Sequence, residues 1–162
     1  MKYTAVGQHN KDFELFDADG NSLGRLDYDG WFSMKVSIVI DNDNYIIQHT
    51  NFWQTKLEVS IGDRVVAELK YNFGGNMVVK LYDGGTYLFK PSFWHDKYLL
   101  YTEHEREIVI LKPDFQWRTL RFNYEIETDD NYDEGRNALL LLILMYCGNH
   151  MKHRGAGAAA AM

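Results

Sequence analysis

The feature that most constrains the fold is an uninterrupted apolar run near the end of the chain. Residues Ala138 to Cys147 read A-L-L-L-L-I-L-M-Y-C, without a charge, a glycine or a proline. A helix that is apolar on every face is stable in water only when other elements surround it. The run is about half as long as the roughly 20 residues that cross a bilayer, and Gly148, Asn149 and His150 then interrupt it. We therefore predict a buried core helix, with a membrane tail anchor as the less favoured alternative.

The residues before this run predict about twelve short strands. Segments such as Lys56–Ile61 (K-L-E-V-S-I) and Arg121–Ile126 (R-F-N-Y-E-I) alternate apolar and polar residues, a period that buries one face of a strand. Sequences rich in Asp, Asn and Gly separate the segments, as is typical of antiparallel hairpins. The predicted strands are Lys2–Val6, Phe13–Asp17, Ser22–Tyr28, Met34–Ile40, Tyr45–His49, Thr55–Ile61, Arg64–Asn72, Met77–Tyr82, Thr86–Pro91, Lys97–Thr102, Glu107–Lys112 and Thr119–Glu127.

These two features together favour a closed barrel with the helix inside it. A barrel of about twelve strands has more interior space than its own side chains fill, and an all-apolar helix can occupy that space. Closure also removes the exposed sheet edges. We predict a mainly β fold, in which a closed antiparallel barrel of about twelve strands encloses a hydrophobic C-terminal α-helix.

Charged and polar residues on both sides of the run predict where the helix begins and ends. Acidic residues suit the start of a helix and basic residues suit its last turn, because of the helix dipole. We predict a single domain over residues 1–154 and a low-complexity tail that frays over residues 155–162. The predicted cap is Asp129-Asp130-Asn131, followed by Asp133 and Glu134 in the first turn, with His150, Lys152, His153 and Arg154 in the last turn.

Composition excludes some functions and favours a compartment. The formal net charge of −6 and the pI near 5.4 argue against nonspecific nucleic-acid binding, which needs a basic surface. The start of the chain has no apolar segment of the secretory kind. Cys147 is the single cysteine, so no internal disulfide forms, which is compatible with a reducing compartment. We expect a cytoplasmic protein, peripheral to a membrane if it binds one.

The chain resembles the tubby C-terminal-like superfamily, which includes tubby proteins, phospholipid scramblases and LURP-one-related proteins. The resemblance rests on the early hairpin Phe13–Leu26 (F-E-L-F-D-A-D-G-N-S-L-G-R-L), the meandering strands and the closing helix. It implies a barrel around a central helix. Tubby proteins bind phosphatidylinositol bisphosphate through basic barrel side chains, so a phospholipid head group is an implied partner. The chain has no cysteine cluster of the scramblase kind.

Six basic residues on or near strands are the first candidate ligand-binding set. If neighbouring strands bring several of them together, they can hold a phosphorylated head group. The alternative, which the acidic balance favours, is an ordinary solvated face on which each cation is paired with Asp or Glu. The set comprises Lys35, Lys70, Lys80, Lys90, Arg118 and Arg121.

Aromatic pairs at or near strand ends form the second candidate set. Four such pairs can rim one mouth of the barrel and form a surface for a ligand or a protein partner. The favoured alternative is that they plug the barrel ends around the helix. The pairs are Trp31-Phe32, Phe52-Trp53, Phe93-Trp94 and Phe115-x-Trp117, so the predicted rim consists of Trp31, Trp53, Trp94 and Trp117.

Metal and phosphate sites are weakly indicated. The segment Asp17–Asn21 hints at a calcium loop, but the twelfth position is Tyr28 and not Glu, which favours a hairpin turn. The glycine pairs at 74–75 and 84–85 begin no helix, so we predict turns there and not phosphate loops. His150, His153 and Cys147 are metal-capable, but the two histidines also suit a helix end. We predict no metal and no cofactor.

No catalytic constellation is recognisable. His95 and His104 can act as general bases in principle, yet neither has a nucleophile motif beside it. We therefore predict no catalytic residues and a non-enzymatic binding or scaffold module, with a phospholipid head group or a protein as partner. One alternative is phosphoinositide or anionic-lipid binding on a basic barrel face. The other is an enzyme that uses a loop histidine.

Overall fold

Twelve antiparallel strands form a closed barrel around one helix. This computed structural model describes residues 1–8, 12–29, 35–72, 74–94, 96–131, 133 and 137–160, with side chains of the helix up to residue 152, so Trp31 and His95 lie outside it. The strands follow one another around the barrel in chain order, and β1 closes it against β12. The predicted fold class is confirmed. The elements are β1 Lys2–Gly7, β2 Phe13–Phe16, β3 Ser22–Tyr28, β4 Val36–Ile40, β5 Asp43–His49, β6 Lys56–Ile61, β7 Arg64–Tyr71, β8 Met77–Leu81, β9 Thr86–Pro91, β10 Tyr98–Thr102, β11 Glu107–Gln116, β12 Arg121–Thr128 and α1 Ala138–Ala160.

The connections alternate between the two ends of the barrel, because neighbouring strands run in opposite directions. One end carries the β1–β2, β3–β4, β5–β6, β7–β8, β9–β10 and β11–β12 connections, and we call it the loop end. The other carries the β2–β3, β4–β5, β6–β7, β8–β9 and β10–β11 connections together with the segment from β12 to α1, and we call it the turn end.

Most predicted strand limits lie within two residues of the observed ones, and β11 is the exception. It continues to Gln116, whereas the prediction ended it at Lys112, before Pro113. β10 begins at Tyr98, opposite Leu111. Beyond that point β11 pairs with β12 alone, and proline is tolerated where a strand has a partner on one side only.

Helix α1 enters the barrel at the turn end and runs inside it towards the loop end. Every residue from Leu140 to Cys147 is buried, so the predicted core helix is confirmed. Among the described residues, no helix is both long enough and apolar enough to cross a membrane. The helix lies close to β3, where a Cβ added to Gly24 would stand 2.9 Å from Leu142 Cδ1 and 2.8 Å from the carbonyl oxygen of Val39.

The predicted helix start is wrong, because a different residue caps α1. The side-chain oxygen of Asn137 accepts hydrogen bonds from the backbone N–H groups of Leu139 (3.0 Å) and Leu140 (3.3 Å). Asp129 instead accepts the backbone N–H of Asn131 at 3.0 Å and pairs with Arg106 at 3.2 Å, so it belongs to a turn. Asp133 accordingly precedes the helix and does not lie in its first turn.

The predicted helix end is also wrong. The helix continues to Ala160, so its last turn contains no basic residue and His150 and Lys152 lie well before it. Most of the predicted tail is therefore helical. The apolar core fixes only the buried part of a helix, and after it the alanines favour a helix although Gly155 and Gly157 do not.

Aromatic and polar side chains fill the interior where the helix reaches the loop end. The Tyr124 hydroxyl donates to the side-chain oxygen of Asn149 at 2.6 Å, and the Asn149 amide donates to the Tyr28 hydroxyl at 3.3 Å. Burial raises the pKa of Tyr28 to about 12 and also raises the pKa of Tyr124. The His150 ring stacks on Tyr146, with centroids 5.7 Å apart. This end of the barrel is therefore closed from within.

Candidate functional site: the loop end of the barrel

Exposed aromatic side chains gather at the loop end. Trp53, Trp94 and Trp117 are 77%, 81% and 81% exposed, and they lie in the β5–β6, β9–β10 and β11–β12 connections. Large apolar side chains exposed on several loops at one end of a folded protein favour a binding role when one partner can contact them all. We call these three connections, residues 50–55, 92–97 and 117–120, the aromatic loops. Their exposed apolar residues are Phe52, Trp53, Phe93, Trp94, Trp117 and Leu120.

The sequence-based alternative, in which these tryptophans plug the barrel ends, does not match their positions. A plug residue would be buried against the helix, whereas these three rings project into solvent. The end of the barrel is filled instead by Tyr28, Tyr71, Tyr146 and His150. Trp53, Trp94 and Trp117 are exposed at the mouth, their role as a binding rim stays a prediction, and Trp31 is outside the described residues.

A side-chain clamp at its base holds the β5–β6 loop in shape. The amide of Asn51 donates to the Thr55 hydroxyl at 2.7 Å, and its oxygen accepts the backbone N–H of Thr55 at 3.0 Å. Gln54 adopts a positive φ of 54°, which tightens the turn. The residues between the clamped positions, Phe52 and Trp53, are pushed outwards and pack edge to face with centroids 5.5 Å apart.

The β9–β10 loop repeats this arrangement. The Ser92 hydroxyl donates to the Asp96 carboxylate at 2.6 Å, again between residues i and i+4. That hydrogen bond is the largest cause of the lowered pKa of Asp96. Phe93 and Trp94 occupy the same two positions as in the other loop and also pack edge to face, at 5.2 Å and 88°.

Two loops on different hairpins thus share one local design that the sequence analysis missed. Both read polar-Phe-Trp-x-polar, as N-F-W-Q-T and S-F-W-H-D, and the two polar side chains bond to each other. Local hydrogen bonds, and not burial, fix the exposed rings, which leaves the rings available for contact. Comparing the two segments with each other would have revealed the signal.

The β11–β12 hairpin presents its aromatic residues differently. Phe115 lies between Trp117 and Phe122, with ring centroids 4.8 Å and 4.7 Å away. Leu120 is 74% exposed and adopts a positive φ of 53°, an unfavourable conformation for a large apolar residue. The hairpin therefore displays Trp117 and Leu120 from an aromatic base.

The charges of the two ends differ strongly. In the described part of the turn-end connections, Arg106 is the only lysine or arginine. The described loop-end connections contain three basic residues, Lys35, Lys97 and Arg118, and a similar number of acidic residues. Two of these acidic residues, Asp12 and Asp96, accept hydrogen bonds from within the protein. The described acidic residues of the turn-end connections are Asp17, Asp19, Asp41, Asp63, Asp83, Glu103, Glu105, Asp129, Asp130 and Asp133.

The helix adds positive charge to the loop end. Lys152 places its ammonium group over the ring of Phe122. Partial burial there lowers the pKa of Lys152. His153 and Arg154 follow in the sequence of the same helix. The loop end is therefore aromatic and carries little net negative charge, whereas the turn end is strongly acidic.

The candidate basic residues do not share one face. Lys70, Lys80 and Lys90 lie on the outer wall, on β7, β8 and β9, whereas Arg118 and Arg121 belong to the β11–β12 hairpin. Lys35 precedes β4, on another part of the barrel.

The three wall lysines also differ in the residues that lie beside them. Lys80 lies opposite Glu68, and Lys90 Nζ sits 4.6 Å from the centroid of the Tyr101 ring. Lys90 and Tyr101 also border a shallow groove of about 460 Å³. Lys70 lies opposite Lys56, which itself pairs with Glu68 at 3.0 Å. Among the lysines described on this part of the wall, the register therefore brings together only Lys56 and Lys70.

Other candidate residues lie in structural settings. Asp17 accepts hydrogen bonds from Asn21 and Asp19 in the β2–β3 turn, and the bond from the Asn21 amide is the largest cause of its lowered pKa. The hairpin prediction for this segment is confirmed. The two glycine pairs lie in the β7–β8 and β8–β9 turns, as predicted. His104 lies in the exposed β10–β11 turn beside Glu103 and Glu105.

Potential metal ligands do not converge in the described part of the chain. No group of three or more His, Cys, Asp or Glu side chains there has the geometry to hold a metal ion. Cys147 is completely buried in the helix core, which raises the pKa of its thiol. It therefore behaves as a small apolar core residue.

Comparison with known proteins supports the fold. No protein-family model matches the chain, and no curated protein matches it in sequence. In structure it is similar to the crystal structure of a protein from Arabidopsis thaliana, AT5G01750, with a TM-score of 0.58, 15% sequence identity and 88% of each chain covered. At this identity the similarity shows the fold alone. The barrel implied by the resemblance is thus supported, and membership of the superfamily stays a prediction.

Proposed function

We propose that the protein is a non-enzymatic binding module and that the loop end of its barrel is the recognition surface. The observation that carries this proposal is the repeated clamp, Asn51–Thr55 and Ser92–Asp96, which holds two Phe-Trp pairs in solvent. Exposed large aromatic side chains are costly in water and are enriched where proteins contact partners.

The difference in charge between the two ends also favours the loop end as the recognition surface. The strongly acidic turn end repels most anionic partners, whereas the loop end carries Lys97, Arg118 and Lys152 beside apolar rings. Tryptophan and arginine are among the residue types that are enriched in binding hot spots. The loop end is therefore the part of the barrel best suited to hold a partner.

Fractionation of tagged protein from cells tests this proposal without naming the partner. We expect the wild-type chain to migrate in a larger complex or a particulate fraction, and the W53A/W94A/W117A variant to lose that association. Tyr82→Ala is the matched control, because Tyr82 is also an exposed aromatic residue but lies at the turn end. Identical migration of the wild type and the triple variant would refute the proposal.

A second candidate function is anionic head-group binding on the outer wall. It is favoured by one observation, the juxtaposition of Lys70 with Lys56 across β6 and β7, at the margin of the wall nearest the loop end. This candidate predicts that Lys70→Glu weakens binding to phosphoinositide while W53A/W94A/W117A leaves it unchanged. The opposite result favours the loop end.

Catalysis through a loop histidine is the remaining alternative. His104 lies among acidic turn residues at the end of the barrel opposite to the aromatic loops. If a turnover activity is found and His104→Ala abolishes it, the non-enzymatic assignment is wrong. We expect His104→Ala to leave the association unchanged.

A further inference from the structure

We propose that the loop end docks on the surface of an anionic membrane and inserts the aromatic loops into the lipid–water interface. The barrel axis then stands upright on the membrane, with the acidic turn end facing away. This inference rests on the proposed function, since it names the partner of the same surface. Membrane binding depends on the exposed residues of the aromatic loops, and not on the recognition of a particular head group.

The spacing of the aromatic loops favours a broad flat partner. In the closed strand order, β7 and β8 separate the β5–β6 hairpin from the β9–β10 hairpin, and β1 to β4 separate it from the β11–β12 hairpin on the other side. Trp53 therefore lies across the mouth from Trp94 and Trp117. A flat fluid surface can contact tips on opposite sides of a barrel mouth at the same time.

The chemistry of the exposed residues matches the interfacial region of a bilayer. Tryptophan is enriched there because its ring is amphipathic, with an apolar body and one N–H donor. Phe52, Phe93 and Leu120 supply purely apolar surface beside the three indoles. Shallow insertion of loops needs no spanning segment, and its strength grows with the apolar area buried.

Charge separation makes an anionic surface acceptable to a chain of net charge −6. Strands of 6 to 8 residues, such as β6 and β7, hold the two ends of a tilted barrel about 15–20 Å apart at roughly 3.3 Å per residue. The Debye length in physiological salt is only about 8 Å. The membrane therefore meets Lys97, Arg118 and Lys152 together with only a few carboxylates, such as Asp29 and Asp96, while the ten turn-end carboxylates are screened from it.

A second copy of the chain fits this surface less well. End-to-end contact would bring the cations of two loop ends together. Head-to-tail contact would place the exposed rings against the carboxylates of a turn end, which would leave acidic groups desolvated beside apolar surface.

Vesicle co-sedimentation tests the inference on the full chain. The vesicles are phosphatidylcholine alone, phosphatidylcholine with phosphatidylserine, and phosphatidylcholine with phosphoinositide at matched charge. We expect the wild type to bind both anionic compositions similarly, and high salt to weaken binding about fivefold for each membrane-facing cation that it screens. We expect W53A/W94A/W117A to bind at least about tenfold more weakly and Tyr82→Ala to bind like the wild type.

Fluorescence with brominated lipids locates the tryptophans. Quenching of wild-type emission by bromines placed high on the acyl chains, with little quenching from deep positions, supports shallow insertion. Circular dichroism confirms that each variant is folded before its binding is compared.

The outcomes separate this inference from the proposed function. Wild-type protein that stays in the supernatant with every vesicle, or a triple variant that sediments like the wild type, overturns membrane docking. If docking fails but the triple variant still loses its complex in cells, the loop end binds a protein and the proposed function stands. Binding that requires phosphoinositide and Lys70 but not the tryptophans assigns the interaction to the wall.

Discussion

The two ends of this barrel are built from the same kind of hairpin but have opposite properties. At the turn end, short acidic connections close the strands, and the β12–α1 segment leads the helix into the core. At the loop end, the connections hold aromatic rings in solvent by means of local polar clamps. Specific hydrogen bonds therefore hold side chains in solvent at the loop end. The turn-end connections instead join the strands and lead the helix into the core.

A glycine substitution at each end gives the largest expected contrast. We expect Gly24→Ala, near the turn end, to lower the free energy of unfolding by roughly 2–4 kcal/mol, from backbone strain and overpacking. Gly24 has a φ of 153° and its added Cβ would press on Val39 and Leu142. The matched loop-end control is Gly74→Ala, where the nearest atom would be 3.7 Å away. Urea denaturation compares them, and equal losses would break the distinction.

Alkaline pH tests whether the interior beneath the aromatic loops is closed to water. Burial raises the pKa of Tyr28 to about 12, so the folded state keeps this phenol neutral when the unfolded chain ionises near pH 10. Its contribution is therefore fully present below pH 10 and is lost as the pH rises towards 12.

The expected loss of stability is about 2–3 kcal/mol for a shift of this size. Denaturation at pH 8 to 12 measures it, and Tyr28→Phe should reduce the slope, while the part that comes from Tyr124 remains. The same slope in both proteins would mean that Tyr28 is reached by water, and that the loop end is open.

The clamps give a smaller effect. Asn51→Ala and Ser92→Ala each remove side-chain hydrogen bonds at the base of a loop, and we expect a loss of about 1 kcal/mol or less for each. Thr50→Ala is the control, because its hydroxyl makes only a long contact of 3.4 Å to the Lys56 carbonyl.

Mobility of the loop is the more sensitive readout of the clamp. We expect the fluorescence anisotropy of Trp53 to fall in Asn51→Ala, measured in a background where the other tryptophans are replaced by phenylalanine. Unchanged anisotropy would show that the ring is held by something other than Asn51.

Removal of the exposed tryptophans gives the smallest effect on folding. We expect Trp53→Ala, Trp94→Ala and Trp117→Ala each to change the free energy of unfolding by less than about 0.5 kcal/mol, since these rings are mostly in water. Thermal denaturation checks this. A large loss for any of them would mean that the ring contributes to the fold, and would weaken its assignment to the binding surface.

The sequence predicts the fold well because period and turn chemistry are local. The alternation of apolar and polar residues in β6 and the uncharged run of α1 both predict which side chains are buried, and the structure agrees with both. The helix start was not predictable in the same way. Asp129 and Asn137 are both good capping residues, and the bonds of Asp129 to Asn131 and Arg106 place it in a turn instead.

The candidate site was predicted only in part. Phe-Trp pairs are visible in the sequence, but their exposure depends on i, i+4 side-chain bonds such as Ser92–Asp96, which composition does not report. Whether Lys70 and Lys90 lie close to Arg118 depends on the strand order. In this twelve-stranded barrel other strands separate them, whereas a barrel with fewer strands would bring them closer together. Burial patterns specify a core, whereas a surface depends on which strands are neighbours.

Site-specific photo-crosslinking tests most directly whether the loop end is the binding end. The photoreactive residue p-benzoylphenylalanine replaces Trp94 in one protein and Tyr82 in another, so that two exposed aromatic positions report on opposite ends in the same cells. We expect adducts, with protein or with lipid, from position 94 and few or none from position 82. Equal yields from the two positions, or adducts from position 82 alone, would contradict it.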